Sequence, residues 1–163
     1  MTTNESADSP NPADAHQEKK MGMKSKLSTL WIFAALNYLY CDVVGLMDRG
    51  LLRQFLAGEV DGIPLTQGFL LGAAILVEIP IAMVLLSRFL TYRANRWANI
   101  LAGSVMTVVQ FSTLFFGTST IYYVFFSIIE IATTVLIVWF AWNWRKPVGQ
   151  VELYGPQLSA SHR

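Results

Sequence analysis

Long apolar runs separated by short polar ones organise this chain. Four apolar blocks stand at about 28–47, 66–90, 97–117 and 119–142. Each is near or above the ~20 residues an α-helix needs to cross a hydrocarbon layer of ~30 Å. Only helices and closed barrels cross such a layer, because no water is there to satisfy backbone groups. The runs are continuous and lack the alternation of barrel strands. The pattern predicts an all-α membrane protein with four transmembrane helices in an up-down bundle. The alternative, a soluble protein with four buried helices, would leave almost no polar face for its exterior. The first run is too long for a signal-peptide core, and no small-x-small cleavage site follows it.

The polar segments divide the chain further. Residues 1–26 hold two prolines and no Phe, Tyr or Trp, so a disordered cytoplasmic tail is expected there. The membrane domain then covers 27–145, and 146–163 forms a second cytoplasmic tail. Within the loop at 48–65, Leu51 to Leu56 fit either a short helix on the membrane surface or a plain ordered loop. Gly58, Gly62 and Pro64 turn the chain back. The connection Gly117-Thr118-Ser119 is short enough to make the third and fourth helices antiparallel neighbours.

Composition supports the membrane reading. Hydrophobic residues make up 53% and charged residues 14%, against about 25% charged in an average soluble domain. Mean hydropathy is +0.42. The net charge of +1 points to no acidic partner, and the basic residues read as topology signals, with no nucleic acid as partner. Lys19, Lys20, Lys24, Lys26, Arg88, Arg93, Arg96, Arg145, Lys146 and Arg163 fall on one side of the bundle, while Arg49 and Arg53 fall on the other. The bias places both termini in the cytoplasm, and Trp31, Trp97, Trp142 and Trp144 lie near the same ends.

Several chemistries are excluded. A single cysteine, Cys41, allows no internal disulfide or dithiol pair. His16 and His162 lie in the tails, which argues against a histidine-bound haem or metal inside the membrane. No phosphate-cradling loop, nucleophile elbow or zinc motif is present. No metal, cofactor or catalytic residue is assigned.

The polar residues inside the spans remain as candidates. Glu78, Glu130, Gln110 and Asn37 fall at mid-depth, with Asp42 nearer the outer surface. A charged side chain at the centre of a membrane costs about 2.5–3.5 kcal/mol. Such groups are expected to face the interior and to be neutral or paired. One stripe per helix follows helical spacing: Ala34, Asn37 and Cys41; Gln67, Ala74, Glu78 and Ala82; Asn99, Gly103, Thr107 and Gln110; Tyr123, Ser127, Glu130 and Thr134. Together they predict a shared polar core toward which both Glu78 and Glu130 are turned. Asp42 falls off this pattern and suits the outer mouth or another interface. Pro80 lacks an N–H and opens the helix ladder near Glu78, which predicts a kink and a small polar cavity there. Gly68 and Gly72 form a small-xxx-small packing pair. The structural alternative is that protonated glutamates only hydrogen-bond neighbouring helices.

An internal echo is present. Thr66 stands twelve residues before Glu78, as Thr118 does before Glu130, and both glutamates are followed by isoleucine. Two parallel-repeat hairpins would produce this, although apolar sequences match one another easily.

The runs LSTLWIFAALNYLYCDVVGLMD (27–48) and TQGFLLGAAILVEIPIAMVLLSRFLTYRANRWANI (66–100) resemble a family of small bacterial four-helix membrane proteins of unknown function. The resemblance implies this architecture, in a bacterial inner membrane, and brings no mechanism. Small multidrug transporters also have four helices and a membrane glutamate, but theirs is on the first helix, where this chain has Asn37 and Asp42. The residues themselves suggest small-molecule or proton-linked transport or binding through the polar core. The alternative is a structural or assembly subunit whose polar core serves packing, as a homo-oligomer or within a membrane complex. An intramembrane enzyme has the least support.

Overall fold

The computed structural model describes residues 12–116 and 120–144. The expected C-terminal tail, residues 1–11 of the N-terminal tail and the Gly117-Thr118-Ser119 connection lie outside the described residues. Four helices carry the fold: α1 (Pro12–Gly45), α3 (Gln67–Phe89), α4 (Tyr92–Phe116) and α5 (Ile121–Asn143). Each contains a stretch of 23 or 24 residues long and apolar enough to cross a membrane. Between α1 and α3 lie a short helix, α2 (Arg49–Ala57), and a hairpin of β1 (Glu59–Val60) and β2 (Ile63–Pro64).

α1 packs on α3 and α5, and α4 packs on the same two helices. Every neighbour in this ring of four runs antiparallel, which gives an all-α, membrane-spanning up-down bundle. Large apolar side chains such as Leu71, Leu85, Val108 and Ile128 are exposed around its outside. In water they would be a liability; in hydrocarbon they meet a solvent as apolar as themselves.

The start of α1 departs from the sequence reading. The helix begins at Pro12, ahead of the expected 28. Proline suits a first helical turn, where its missing N–H has no partner to lose. Ala, Gln, Glu, Lys and Met then fill most of 13–24 with strong helix formers. Low hydrophobicity predicts disorder in this segment, but local propensity favours helix. α4 likewise starts at Tyr92, five residues before the expected 97.

The loop resolves into the helical alternative. Asp48 caps α2 by accepting from the backbone N–H groups of Gly50 and Leu51, at 2.7 and 3.2 Å. Gly58 ends α2 in the left-handed region (φ 79°), where a side chain would be strained. Asp61 and Gly62, both with positive φ, make the two-residue hairpin turn that pairs Glu59 with Pro64 and Val60 with Ile63. The Gln54 side-chain oxygen accepts from Asp61 N–H at 2.6 Å and ties this hairpin to α2.

α3 runs unbroken through Pro80. Pro80, Met83 and Ser87 are its buried positions. Leu76 and Ile79, partly buried, pack beside them. The close approach lies elsewhere than the sequence suggested. A Cβ on Gly72 would meet nothing within 4 Å, whereas one on Gly103 would come within 2.7 Å of Val138 Cγ2 and 3.3 Å of the Thr134 carbonyl. Gly103 thus lets α4 and α5 touch, and Thr107 Oγ1 donates to Thr134 Oγ1 across that seam at 2.8 Å.

Candidate functional site

The bundle holds two polar layers of opposite character. The first is closed. It lies near the end of the bundle that carries Lys24, Arg88 and Arg96. Trp31 Nε1 donates to Asn99 Oδ1 at 2.7 Å, across the bundle from α1 to α4. Ser87 Oγ donates to the same oxygen at 3.3 Å. Asn99 Nδ2 donates to Asn95 Oδ1 at 2.6 Å, and Asn95 Nδ2 donates to the Ser87 carbonyl at 2.5 Å. Ser28 Oγ donates to the Val84 carbonyl and accepts from Arg88 Nε, both at 3.0 Å. Trp31, Ser87, Asn95 and Asn99 are buried, and their side-chain polar atoms are all paired, so this layer needs no ligand.

The rim of this end is laced in the same way. Lys24 Nζ donates to the Leu90 carbonyl at 2.7 Å, and Tyr92 OH donates to the Trp144 carbonyl at 2.5 Å. Arg96 donates to the Trp142 carbonyl at 3.1 Å and lies 5.9 Å from the centre of its ring.

The second layer is open. Glu130 is 1% exposed, and neither of its carboxyl oxygens has a hydrogen-bond partner. It sits about 14 Å along α5 from the first residue of that helix. The Tyr38 hydroxyl is also buried and unpartnered. Tyr38, Cys41 and Asp42 of α1 and Tyr123 of α5 lie within electrostatic reach of the Glu130 carboxyl. One turn nearer the loop end, Gln110 Nε2 donates to Ser127 Oγ at 2.8 Å, and a further turn on Tyr123 OH donates to Thr113 Oγ1 at 2.6 Å. Local geometry explains why Glu130 is inward. Ser127, Glu130, Thr134, Ile137 and Ala141 recur at steps of three and four, and all are buried.

A cavity of about 400 Å³ opens at the loop end beyond this layer. α2 and the hairpin wall it on one side through Leu51, Phe55 and Ile63, and Phe69, Tyr122 and Tyr123 wall it on the other. Tyr123 faces both regions. It lines the cavity and stands two helical turns, about 10 Å, from Glu130 on the same face of α5.

The profile of one protein family matches residues 16–150. The chain belongs to DUF6326, a family of unknown function. No curated protein and no solved structure matches it. In this DUF6326 protein the matched stretch takes in all four spans and both polar layers.

The sequence-derived candidates fall in different places in the DUF6326 bundle. Gln110 is buried beside the Glu130 layer. Asn37 is half-buried and donates to the Phe33 carbonyl of its own helix at 2.9 Å. Asp42 is exposed on α1, next to buried Cys41. Glu78 does not face Glu130. It is exposed on the outer face of α3, together with Leu71, Ile75 and Leu85. The reason is angular. Pro80 lies two residues on, about 200° around the helix, and Pro80 is packed inside. The polar cavity expected beside Pro80 therefore does not enclose Glu78. Gly68 and Gly72 are exposed too.

The sequence reading places Asn99 on an inner stripe and Trp31 near the basic end, but it does not single out Tyr38, Ser87 or Asn95 or join them into a layer. The signals were present. Trp31, Ala34, Tyr38 and Cys41 follow steps of three, four and three, and Asn95 and Asn99 stand one turn apart.

Proposed function

We propose that this protein binds or transports a small cation or a proton through its membrane-embedded polar core, with Glu130 as the accepting group. The carrying observation is the Glu130 carboxyl, buried at mid-span with both oxygens unpartnered. A buried polar group without a partner is costly, and inside a membrane an ionisable group is a functional candidate by default. Tyr38, unpartnered beside it, supplies a second oxygen, and the cavity lined by Tyr123 opens at the loop end, two helical turns along α5 from the carboxyl. The contrast with the closed layer supports the reading: among the described residues, the buried side-chain polar atoms without a hydrogen-bond partner are the two Glu130 oxygens and the neighbouring Tyr38 hydroxyl.

The distribution of basic residues supports an orientation with both termini in the cytoplasm, and the resemblance of residues 27–48 and 66–100 to small bacterial membrane proteins supports a bacterial inner membrane as the location. Lys24, Lys26, Arg88, Arg93 and Arg96 gather at one end of the bundle and Arg49 and Arg53 at the other. The cavity then opens outward.

The test is flux in proteoliposomes loaded with a pH-sensitive dye. An imposed gradient of protons, sodium or potassium should dissipate faster with wild type than with Glu130→Gln, which keeps the shape of the side chain. Equal rates for the two proteins with all three ions, and no cation binding by calorimetry, would sink the proposal.

A further inference from the structure

The segment that walls the loop-end cavity is more elaborate than a connection requires. α1 and α3 are packed neighbours, as α3 and α4 are, yet α3 and α4 are joined through Leu90 and Thr91 alone. Residues 46–66 instead build a helix and a hairpin of their own between α1 and α3. Side-chain bonds at Asp48 and Gln54 hold both in place, and ordered loops on a rigid scaffold are where binding residues concentrate. The end of α1 is shaped to seat them. A Cβ on Gly45 would lie 3.2 Å from Leu51 Cδ2 and 3.6 Å from the Tyr122 hydroxyl.

The walls combine rings with carboxylates. Phe55 of α2, Phe69 of α3 and Tyr122 and Tyr123 of α5 line one space of about 400 Å³. That volume falls within the roughly 300–1,000 Å³ of small-molecule sites. Asp48 and Asp61 line the same space, and among the described residues no lysine or arginine does. Angular position on α2 explains the asymmetry. Leu51 and Phe55, one turn apart, face the cavity. Arg49 and Arg53 each stand two residues earlier, about 200° around the helix, so the basic residues of this loop are turned off the cavity. Asp48 accepts both of its cap bonds through Oδ1, which leaves the lone pairs of Oδ2 for another partner. The Tyr123 hydroxyl donates to Thr113 Oγ1, which fixes its ring at the wall.

We propose that this cavity binds an organic cation, a substituted ammonium ion that carries an apolar body. Its charge rests against Asp48, with Asp61 adding to the negative field, and its body lies among the four rings. Aromatic faces attract a cation and accept its apolar substituents at once. An anion would meet two carboxylates and no basic side chain. A bare metal ion would find no group of three carboxylate, histidine or cysteine ligands among the described residues. A neutral apolar molecule would leave both carboxylates without a partner charge. The inference stands apart from the role of Glu130, which lies two helical turns from Tyr123 along α5 and takes no part in the cavity wall.

The test is binding of radiolabelled benzyltrimethylammonium to full-length protein in nanodiscs of zwitterionic lipid, with empty discs as the blank. Wild type should bind it saturably. Neopentylbenzene, in which carbon replaces the charged nitrogen, and benzylsulfonate should both fail to compete. Asp48→Asn keeps a capping oxygen but removes the charge. It should weaken binding about three- to tenfold at unchanged thermal stability. Phe69→Leu, at an exposed position, removes a ring while keeping apolar bulk, and should weaken binding about two- to fivefold. Glu130→Gln should leave binding unaffected. Absence of saturable binding, equal competition by neopentylbenzene or benzylsulfonate, or equal affinity for wild type, Asp48→Asn and Phe69→Leu overturns the proposal. So does loss of binding in Glu130→Gln, because the cation would then sit at the carboxyl of the core. The readings of the cavity and of Glu130 therefore fail separately.

Discussion

Glu78 and Glu130 stand in matching local sequence, twelve residues after a threonine and directly before an isoleucine, near the middle of two apolar helices. One is exposed on the outside of the bundle and the other is 1% exposed within it. The difference lies in rotation about the helix axis. On α5 the buried positions include Glu130 itself and those three, four and seven residues after it. On α3 they lie two, five and nine residues after Glu78, about half a turn away around the helix. Local sequence and depth alone therefore do not define an intramembrane site. The neighbours of the helix do, by deciding which of its stripes they cover.

The comparison can be broken most sharply through the glycines. Gly103→Leu should be severely destabilising, by about 3 kcal/mol or more, because its Cβ enters a seam that leaves 2.7 Å to Val138 and 3.3 Å to the Thr134 backbone. Gly72→Leu should leave the fold of a single chain intact, since open space surrounds that position. Unfolding of both variants in mixed micelles checks this, and equal losses would mean that α3 is packed more tightly than described.

The two carboxyls offer the next contrast. Glu130→Leu should stabilise the bundle by about 1–3 kcal/mol while abolishing flux, since it removes a buried group without partners and fills the same space. Glu78→Leu should leave single-chain stability nearly unchanged in detergent. A Glu130→Leu variant that is less stable than wild type would show that the carboxyl is a packing strut.

The closed layer separates structure from function. Asn99→Ala strands the Trp31 N–H and the Ser87 hydroxyl, and should cost about 1–2 kcal/mol without changing the ion selectivity of any flux. Flux lost in parallel with stability at Asn99 would remove the distinction between the layers. The smallest effect is expected at Tyr38. Tyr38→Phe removes an unpartnered hydroxyl and should stabilise by about 0.5–1 kcal/mol, with a partial loss of flux if that oxygen contacts the ion. Thermal scans and flux rates together decide it.

Much of this was legible along the chain, residue by residue. The four spans follow from runs of apolar residues, and the stripes of α4 and α5 from the spacing of Asn99, Gly103, Thr107 and Gln110 and of Ser127, Glu130 and Thr134. The caps of the loop follow from Asp48, Gly58 and Asp61-Gly62. The orientation of Glu78 was not legible. Its stripe of small and polar residues looks on paper like an inward face, and the row Leu76, Ile79, Pro80 and Met83 looks like a lipid-facing one. In a membrane both rows are tolerable on either side, because lipid is as apolar as a protein interior and sets no strong preference between them.

The sequence alone determined that four helices are long and apolar enough to span a membrane, where the basic ends lie and how far along its helix each carboxyl sits. These depend on the transfer of a local segment from water to hydrocarbon, and its cost is a sum over that segment. The tertiary structure decided which carboxyl is enclosed, which asparagines lock the bundle and which glycine lets two backbones touch. Those depend on shape matching between helices far apart in the chain, as in the bond from Trp31 to Asn99, and no local sum contains that information.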